Sequence, residues 1–142
     1  MKLLFLNGPN LNLLGIREPE IYGTQSYHAL EAYIQNFCQD LGIQCQILQS
    51  NHEGALIDAI QSAYGTMDGI VINPAGYTHT SVAILDALLA VGLPAVEVHL
   101  SDVSHREAFR QISYPGMACC ATFQGMGFAG YRRAAEFLLN RQ

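Results

Sequence analysis

Short apolar runs alternate with amphipathic ones along the whole chain. Leu3–Leu6 reads as a first strand. Ser26 can cap a helix running to about Leu41, with Leu30, Ile34, Phe37, Cys38 and Leu41 on one face and Gly42 as its stop. Ile43–Leu48 reads as a second strand, and Asn51 can cap a helix that turns Leu56, Ile57, Ile60 and Tyr64 inward and ends at Gly65. Gly69–Ile72 is a third strand; Ser81–Val91 is a helix closed by Gly92 and Pro94; Ala95–Val98 is a fourth strand. Met117–Phe123 reads as a fifth, weaker strand and Tyr131–Leu139 as a final helix.

This alternation predicts an α/β fold, a parallel doubly wound sheet with helices on both faces. Five strands fit the flavodoxin-like order 2-1-3-4-5, whose switch point lies between strands one and three. The chain of 142 residues suits a single domain, 1–142, without repeat or linker. One long irregular connection, from about Asn7 to Gln25, is unusual in a compact domain and suggests a functional loop or lid.

Composition narrows the class. A hydrophobic fraction of 50% with 13% charged residues hints at contacts between subunits, yet no apolar run approaches the roughly 20 residues that span a bilayer. One early lysine precedes a short strand-like run with no small-residue cleavage site, so no signal peptide is expected. Cys38, Cys45, Cys119 and Cys120 show neither CxxC nor zinc spacing and read as reduced core thiols in the cytoplasm. A net charge of −5 without a basic run argues against nucleic acid as a partner.

The polar residues that a core would reject are clustered beyond strand ends, where open α/β sheets bind ligands. Asn7-Gly8-Pro9-Asn10-Leu11-Asn12 follows strand one, Asn73 and then His79 follow strand three, and Glu97, His99 and Ser101 lie at the end of strand four. The long loop adds Arg17 and Tyr22, and Arg106 and Arg110 stand four apart, on one face if that segment is helical. Such a set suits proton removal beside a carbonyl with expulsion of a hydroxyl, which needs a base and an acid. A tyrosine serves as base only where positive charge lowers its pKa, and Arg17 could supply that charge to Tyr22. Glu97 and His99, two apart on a strand, share a face, so the carboxylate can orient the imidazole and favour its protonated form. Arg110 can grip a carboxylate with two parallel hydrogen bonds.

Each residue also has a plainer role. Asn7 and Asn12 can close turns, His79 can bond backbone at a helix start, and single arginines are usually solvated. Tyr22 can be a packed aromatic, while His28, His52 and His105 sit in or beside helix starts and read as structural or exposed. A literal GxGxxG at Gly125–Gly130 lacks a following strand and an acidic residue about 20 positions on, so a tight turn fits it better than a dinucleotide.

The ordered segments Asn7–Gly15, Arg17–Gly23, Gln49–Gly54, Ile72–Ser81, Glu97–Ser101 and Arg106–Arg110 resemble type II 3-dehydroquinate dehydratase along nearly the whole chain. The resemblance implies conversion of 3-dehydroquinate to 3-dehydroshikimate, in the shikimate pathway or in quinate breakdown. By position it implies Tyr22 as the base at C2, Arg17 as the group that depresses its pKa, and His99 as the acid oriented by Glu97. Asn12 would hold a water that stabilises the enolate. Asn73, His79, Asp86, Leu100, Ser101 and Arg110 would bind substrate, with Arg106 closing over the site. It further implies no metal or organic cofactor and a homododecamer built from trimers.

The chain departs from the family pattern at Gly76, where alanine is usual, and at Asp102, where asparagine is usual. Gln111-Ile112 replaces a commonly histidine-containing pair, and Tyr114–Gln124 is unlike the usual sequence but keeps its length. Independently of the family, Lys2 is the only lysine and starts strand one, which speaks against a Schiff-base route. A flavin-binding module of the same fold is the alternative; the loop Asn7–Gln25 lacks the hydroxyl-rich phosphate turn it would need. A phospho-receiver would need acidic residues where Asn7 and Asn73 stand.

Overall fold

The computed structural model describes residues 1–16, 20 and 25–142. Strands β1 (Lys2–Asn7), β2 (Gln44–Gln49), β3 (Gly69–Asn73), β4 (Ala95–His99) and β5 (Ala121–Gln124) form a parallel sheet in the order β2-β1-β3-β4-β5. Between and after them run α1 (Tyr27–Leu41), α2 (Glu53–Ala63), α3 (Val82–Val91) and α4 (Ala129–Asn140).

Strand periodicity divides the core into two layers. Leu3 and Phe5 of β1, Val71 of β3 and Val96 and Val98 of β4 pack on α1 and α4. Leu4 and Leu6, Ile70 and Ile72, and Ala95 pack on α2 and α3. The central strands are buried on both faces; β1 and β3 therefore read as continuous apolar runs up to their terminal asparagines, while β4 buries Glu97 and His99 among its apolar residues.

Local signals hold at most helix ends. Ser26 Oγ accepts from Ala29 N at 3.1 Å and Ser81 Oγ from Ile84 N at 2.9 Å, the side-chain caps expected of serine. Gly42 (φ 71°) and Gly92 (φ 66°) close α1 and α3 in the left-handed conformation.

Several sequence expectations need correction. Asn51 does not cap α2; that position belongs to His52, and Asn51 is committed to the loop after β1. Tyr64 lies past the last turn of α2 and is 70% exposed rather than inward. The fifth strand is shorter than Met117–Phe123: Pro115–Ala118 forms a 3-10 turn, and bonding to β4 begins only where Cys120 N reaches Ala95 O at 2.8 Å. Of the four cysteines only Cys38 is buried, and Cys120 is exposed. All four are free thiols, and burial, reinforced by neighbouring groups, pushes Cys38 and Cys119 up to about 12. Among the described residues no helix is long and apolar enough to cross a membrane.

Candidate active site

The register sets Asn7 beside Asn73 at the ends of β1 and β3, where the strand order reverses. Both continue the strand face that carries Leu3, Phe5 and Val71, so both amides point toward α4. There Tyr131, fully buried, donates its hydroxyl to Asn7 Oδ1 at 2.7 Å and accepts from Asn73 Nδ2 at 3.1 Å. Asn7 Nδ2 donates to Tyr27 Oη at 3.3 Å. Burial pushes both phenols up, so they remain protonated and able to donate.

Beyond these strand ends lies a crevice of about 200 Å³. Its floor and walls come from Asn73, Ala75, Gly76 and His79 after β3, from His99, Leu100 and Ser101 at and after β4, and from Pro9, Asn10 and Leu11 after β1. Arg106 and Arg110 complete the rim. The two loops touch because residue 8 is glycine: its N–H donates to Asn73 O at 2.8 Å, and a Cβ there would stand 2.5 Å from Pro74 O. Asn10 (φ 69°) takes the left-handed conformation and donates its N–H to Asn51 Oδ1 at 3.0 Å. Gln49 Nε2 ties Gly8 O and Asn51 Oδ1, each at 3.1 Å. Gln49 and Asn51 thus hold the loop after β1.

His99 and Glu97 carry the electrostatics. They fall on the strand face of Ala95, yet no helix covers them, because Pro115–Ala118 and its flanks occupy that space. His99 Nε2 lies 3.2 Å from Glu97 Oε2, and the two residues are 7% and 2% exposed. Glu97 Oε2 also accepts from the Ser113 hydroxyl, and Oε1 from Thr122 Oγ1 at 3.1 Å. Burial alone would raise the Glu97 carboxyl, but the hydrogen bond and charge of His99 and the two hydroxyls together hold it below its ordinary value. Glu97 is therefore ionised and acceptor-only, which leaves Nδ1 of His99 for exchange with a ligand.

The four-residue spacing of Arg106 and Arg110 implies a shared helical face, but the segment forms two 3-10 turns, Val103–His105 and Ala108–Arg110. Both arginines still line the crevice, because the loop itself curves over it. Arg110 Nε donates to Glu107 Oε2 at 2.5 Å, leaving its terminal nitrogens for a second carboxylate. His79 Nδ1 bonds Ile112 O at 2.8 Å, leaving Nε2 for a ligand. Asp102 closes the first turn through Ser104 N at 3.0 Å, a bond that an asparagine oxygen can equally accept.

Not every candidate converges. Asn12 is exposed, 3.4 Å from Gln49 Nε2 through its Oδ1, and Asp86 is exposed on α3; neither lines the crevice. Arg17 and Tyr22 lie outside the described residues. His28, His52 and His105 are exposed, as expected. Sequence reasoning missed Tyr131, Ser113 and Thr122. Tyr131 continues the apolar face of α4, while Ser113 and Thr122 are single hydroxyls in a stretch without periodicity. Among the described residues no group of three or more His, Cys, Asp or Glu could hold a metal ion.

Sheet order and crevice define a flavodoxin-like α/β protein with a polar site beyond its strand ends. The family model for dehydroquinase class II matches residues 1–139. The chain is 54% identical to the 3-dehydroquinate dehydratase of Carboxydothermus hydrogenoformans, covering 93% of this chain and 86% of that protein. It is 52% identical to catabolic 3-dehydroquinase 1 of Aspergillus terreus, over 94% of this chain and 88% of that one. The crystal structure of type II dehydroquinase from Butyrivibrio crossotus superimposes with a TM-score of 0.96 at 50% identity, covering 98% of this chain and 97% of the other. The chain belongs to the class II dehydroquinase family and is a hydro-lyase.

Proposed function

We propose that the protein, acting as one catalytic domain over 1–142, dehydrates 3-dehydroquinate to 3-dehydroshikimate by anti elimination through an enolate. The observation that carries this is His99, backed by the ionised Glu97, in a crevice that also holds His79, Arg106 and Arg110. Tyr22 removes the C2 proton, with Arg17 lowering its pKa. The carbonyl beside C2 takes the charge as an enolate, steadied by a water on Asn12. His99, protonated against Glu97, gives its proton to the hydroxyl leaving C1, which departs as water. Arg110 grips the substrate carboxylate, Asn73, His79, Leu100 and Ser101 bind the remaining polar groups, and Arg106 closes over them; Asp86, outside the crevice of its own chain, binds substrate held by a neighbouring copy in the assembly.

Four features support this reading. Asn73 Nδ2 has a second proton beyond the one given to Tyr131, and His79 has one ring nitrogen unused by Ile112. Lys2, the only lysine, lies at the opposite end of β1 from the crevice, so an imine route has no amine there. The exposed apolar side chains Val82 and Leu89 of α3, with Phe109 and Met117, support self-association, which we extend to a homododecamer. The four free thiols support a reducing, cytoplasmic setting.

The test is ultraviolet absorbance after adding 3-dehydroquinate to purified protein, with Tyr22→Phe alongside and borohydride as a separate treatment. A conjugated enone that grows with wild type alone, and an activity that survives borohydride with substrate, is the expected result. Turnover retained by Tyr22→Phe removes Tyr22 as the base, and inactivation by borohydride removes the enolate route.

A further inference from the structure

Glu97 has more partners than the orientation of one imidazole requires: Ser113, just before the stretch Tyr114–Gln124 that departs from the family pattern, and Thr122 within it. Ser113 precedes the 3-10 turn Pro115–Ala118, and Thr122 stands on β5 directly opposite Glu97 in the register. Gly116 N donates to Ser113 Oγ at 3.0 Å, and Ser113 Oγ donates its single proton to Glu97 Oε2. The direction of this chain is fixed, because the backbone N–H can only donate. Thr122 Oγ1 donates to the other carboxylate oxygen. The turn can close this far only on a glycine: a Cβ at 116 would lie 2.7 Å from both Glu97 Oε1 and Ser113 Oγ. With both oxygens engaged, the carboxylate cannot rotate, and the imidazole bonded to it keeps one orientation.

We propose that Ser113 and Thr122 are positioning residues for His99, acting through Glu97, in a carboxylate cradle that segment 113–122 builds around Gly116. The inference rests on His99 being the acid of the dehydration. The cradle keeps Glu97 ionised, holds the proton of His99 Nε2 on the carboxylate side, and so presents Nδ1 to the departing hydroxyl. The charged and titratable groups facing Glu97 are few among the described residues. His99 lies on its own strand, Cys119 on the flank of the turn, and Arg110 lines the small chamber behind His99 together with Glu97. β5 presents Thr122 and Gln124 there, both uncharged, and the β3 residue registered with Glu97 is Ile72. Cys119 stays a neutral thiol, burial and then the Glu97 charge pushing it up to about 12.

The experiment compares Thr122→Val, Ser113→Ala and the double variant with wild type by two readouts. One is kcat and KM against pH with 3-dehydroquinate; the other is the ¹⁵N imidazole shifts of His99 without substrate. The expected result is a fall in kcat on the order of 10-fold for single variants and about 10²-fold for the double, with KM within about 2-fold. The acid limb of kcat moves to higher pH as Glu97 becomes easier to protonate, and the Nδ1–H tautomer of His99 grows. Thr122→Ser, which keeps the hydroxyl, stays near wild type. If Ser113→Ala does not fold, Thr122→Val on the exposed edge strand decides alone. An unmoved acid limb with an unchanged tautomer overturns the proposal. Wild-type protein that does not turn over 3-dehydroquinate overturns the functional reading instead, and the ¹⁵N readout still judges the cradle.

Discussion

Tyr131 on α4 donates its hydroxyl to Oδ1 of Asn7 at the end of β1, at 2.7 Å and across 124 residues of sequence. The Tyr131 hydroxyl oxygen in turn accepts from Asn73 Nδ2 at 3.1 Å, so one phenol joins the two strand ends that define the switch point. Replacing Tyr131 by phenylalanine leaves two buried amides short of a partner while barely changing the packing. Tyr131→Phe should lose about 1–3 kcal/mol of stability, the usual penalty for stranded buried polar groups. A thermal melt should show a drop of several degrees, and steady-state kinetics should show a raised KM as Asn73 reorients.

Glu97→Gln removes the charge that favours protonated His99. Turnover should fall by a factor on the order of 10² to 10⁴, the range for a lost acid or base. The sign of the stability effect follows from the folded-state pKa, which lies below the ordinary 4.5. The contribution of Glu97 is present above that ordinary value and is lost as pH falls through the folded value. Denaturation midpoints measured from neutral to strongly acid pH should decline less steeply in Glu97→Gln than in wild type.

Arg110→Ala should mainly weaken binding, since the residue lines the crevice and only its Nε is held by Glu107. KM should rise with kcat changed less, and Arg110→Lys should not restore it, because a point charge cannot form the two parallel bonds. A defect confined to kcat would contradict the role.

Arg17→Ala should cut turnover by a factor on the order of 10² to 10⁴ and move the basic limb of the pH profile upward, as the pKa of Tyr22 returns toward that of an ordinary phenol. A limb that stays in place would separate Arg17 from pKa tuning.

Gly76→Ala should be tolerated and slightly stabilising, by about 0.4–1 kcal/mol. A Cβ at 76 meets nothing within 4 Å, and the residue is absent from those with positive φ. Its neighbour differs: Ala75 already sits at φ 53°, a conformation that costs an L-residue roughly 1–2 kcal/mol. Ala75→Val should therefore destabilise where Gly76→Ala does not, as chemical denaturation would show.

The strand and helix order was legible because burial on both sheet faces leaves unbroken apolar runs, and because Ser26, Ser81, Gly42 and Gly92 signal helix ends through bonds within a few residues. Glu97 with His99 was legible for the same reason, since a spacing of two on a strand fixes a common face. The errors fall where local signals compete with distant partners. Asn51 has the chemistry of a cap but accepts from Asn10, 41 residues away, and Met117 is β-prone but follows a proline turn.

By itself, then, the sequence determined the alternation of strands and helices and the strand-end residues, since periodicity and caps act over a few positions. Only the tertiary structure decided that Tyr131 would bridge Asn7 and Asn73, that Ser113 and Thr122 would hold Glu97, and that Arg106 and Arg110 would meet the crevice from two turns rather than one helix. Those contacts join residues up to 124 positions apart. A hydrogen bond depends on where two groups end up in space, and nothing in the local pattern of either segment encodes its partner.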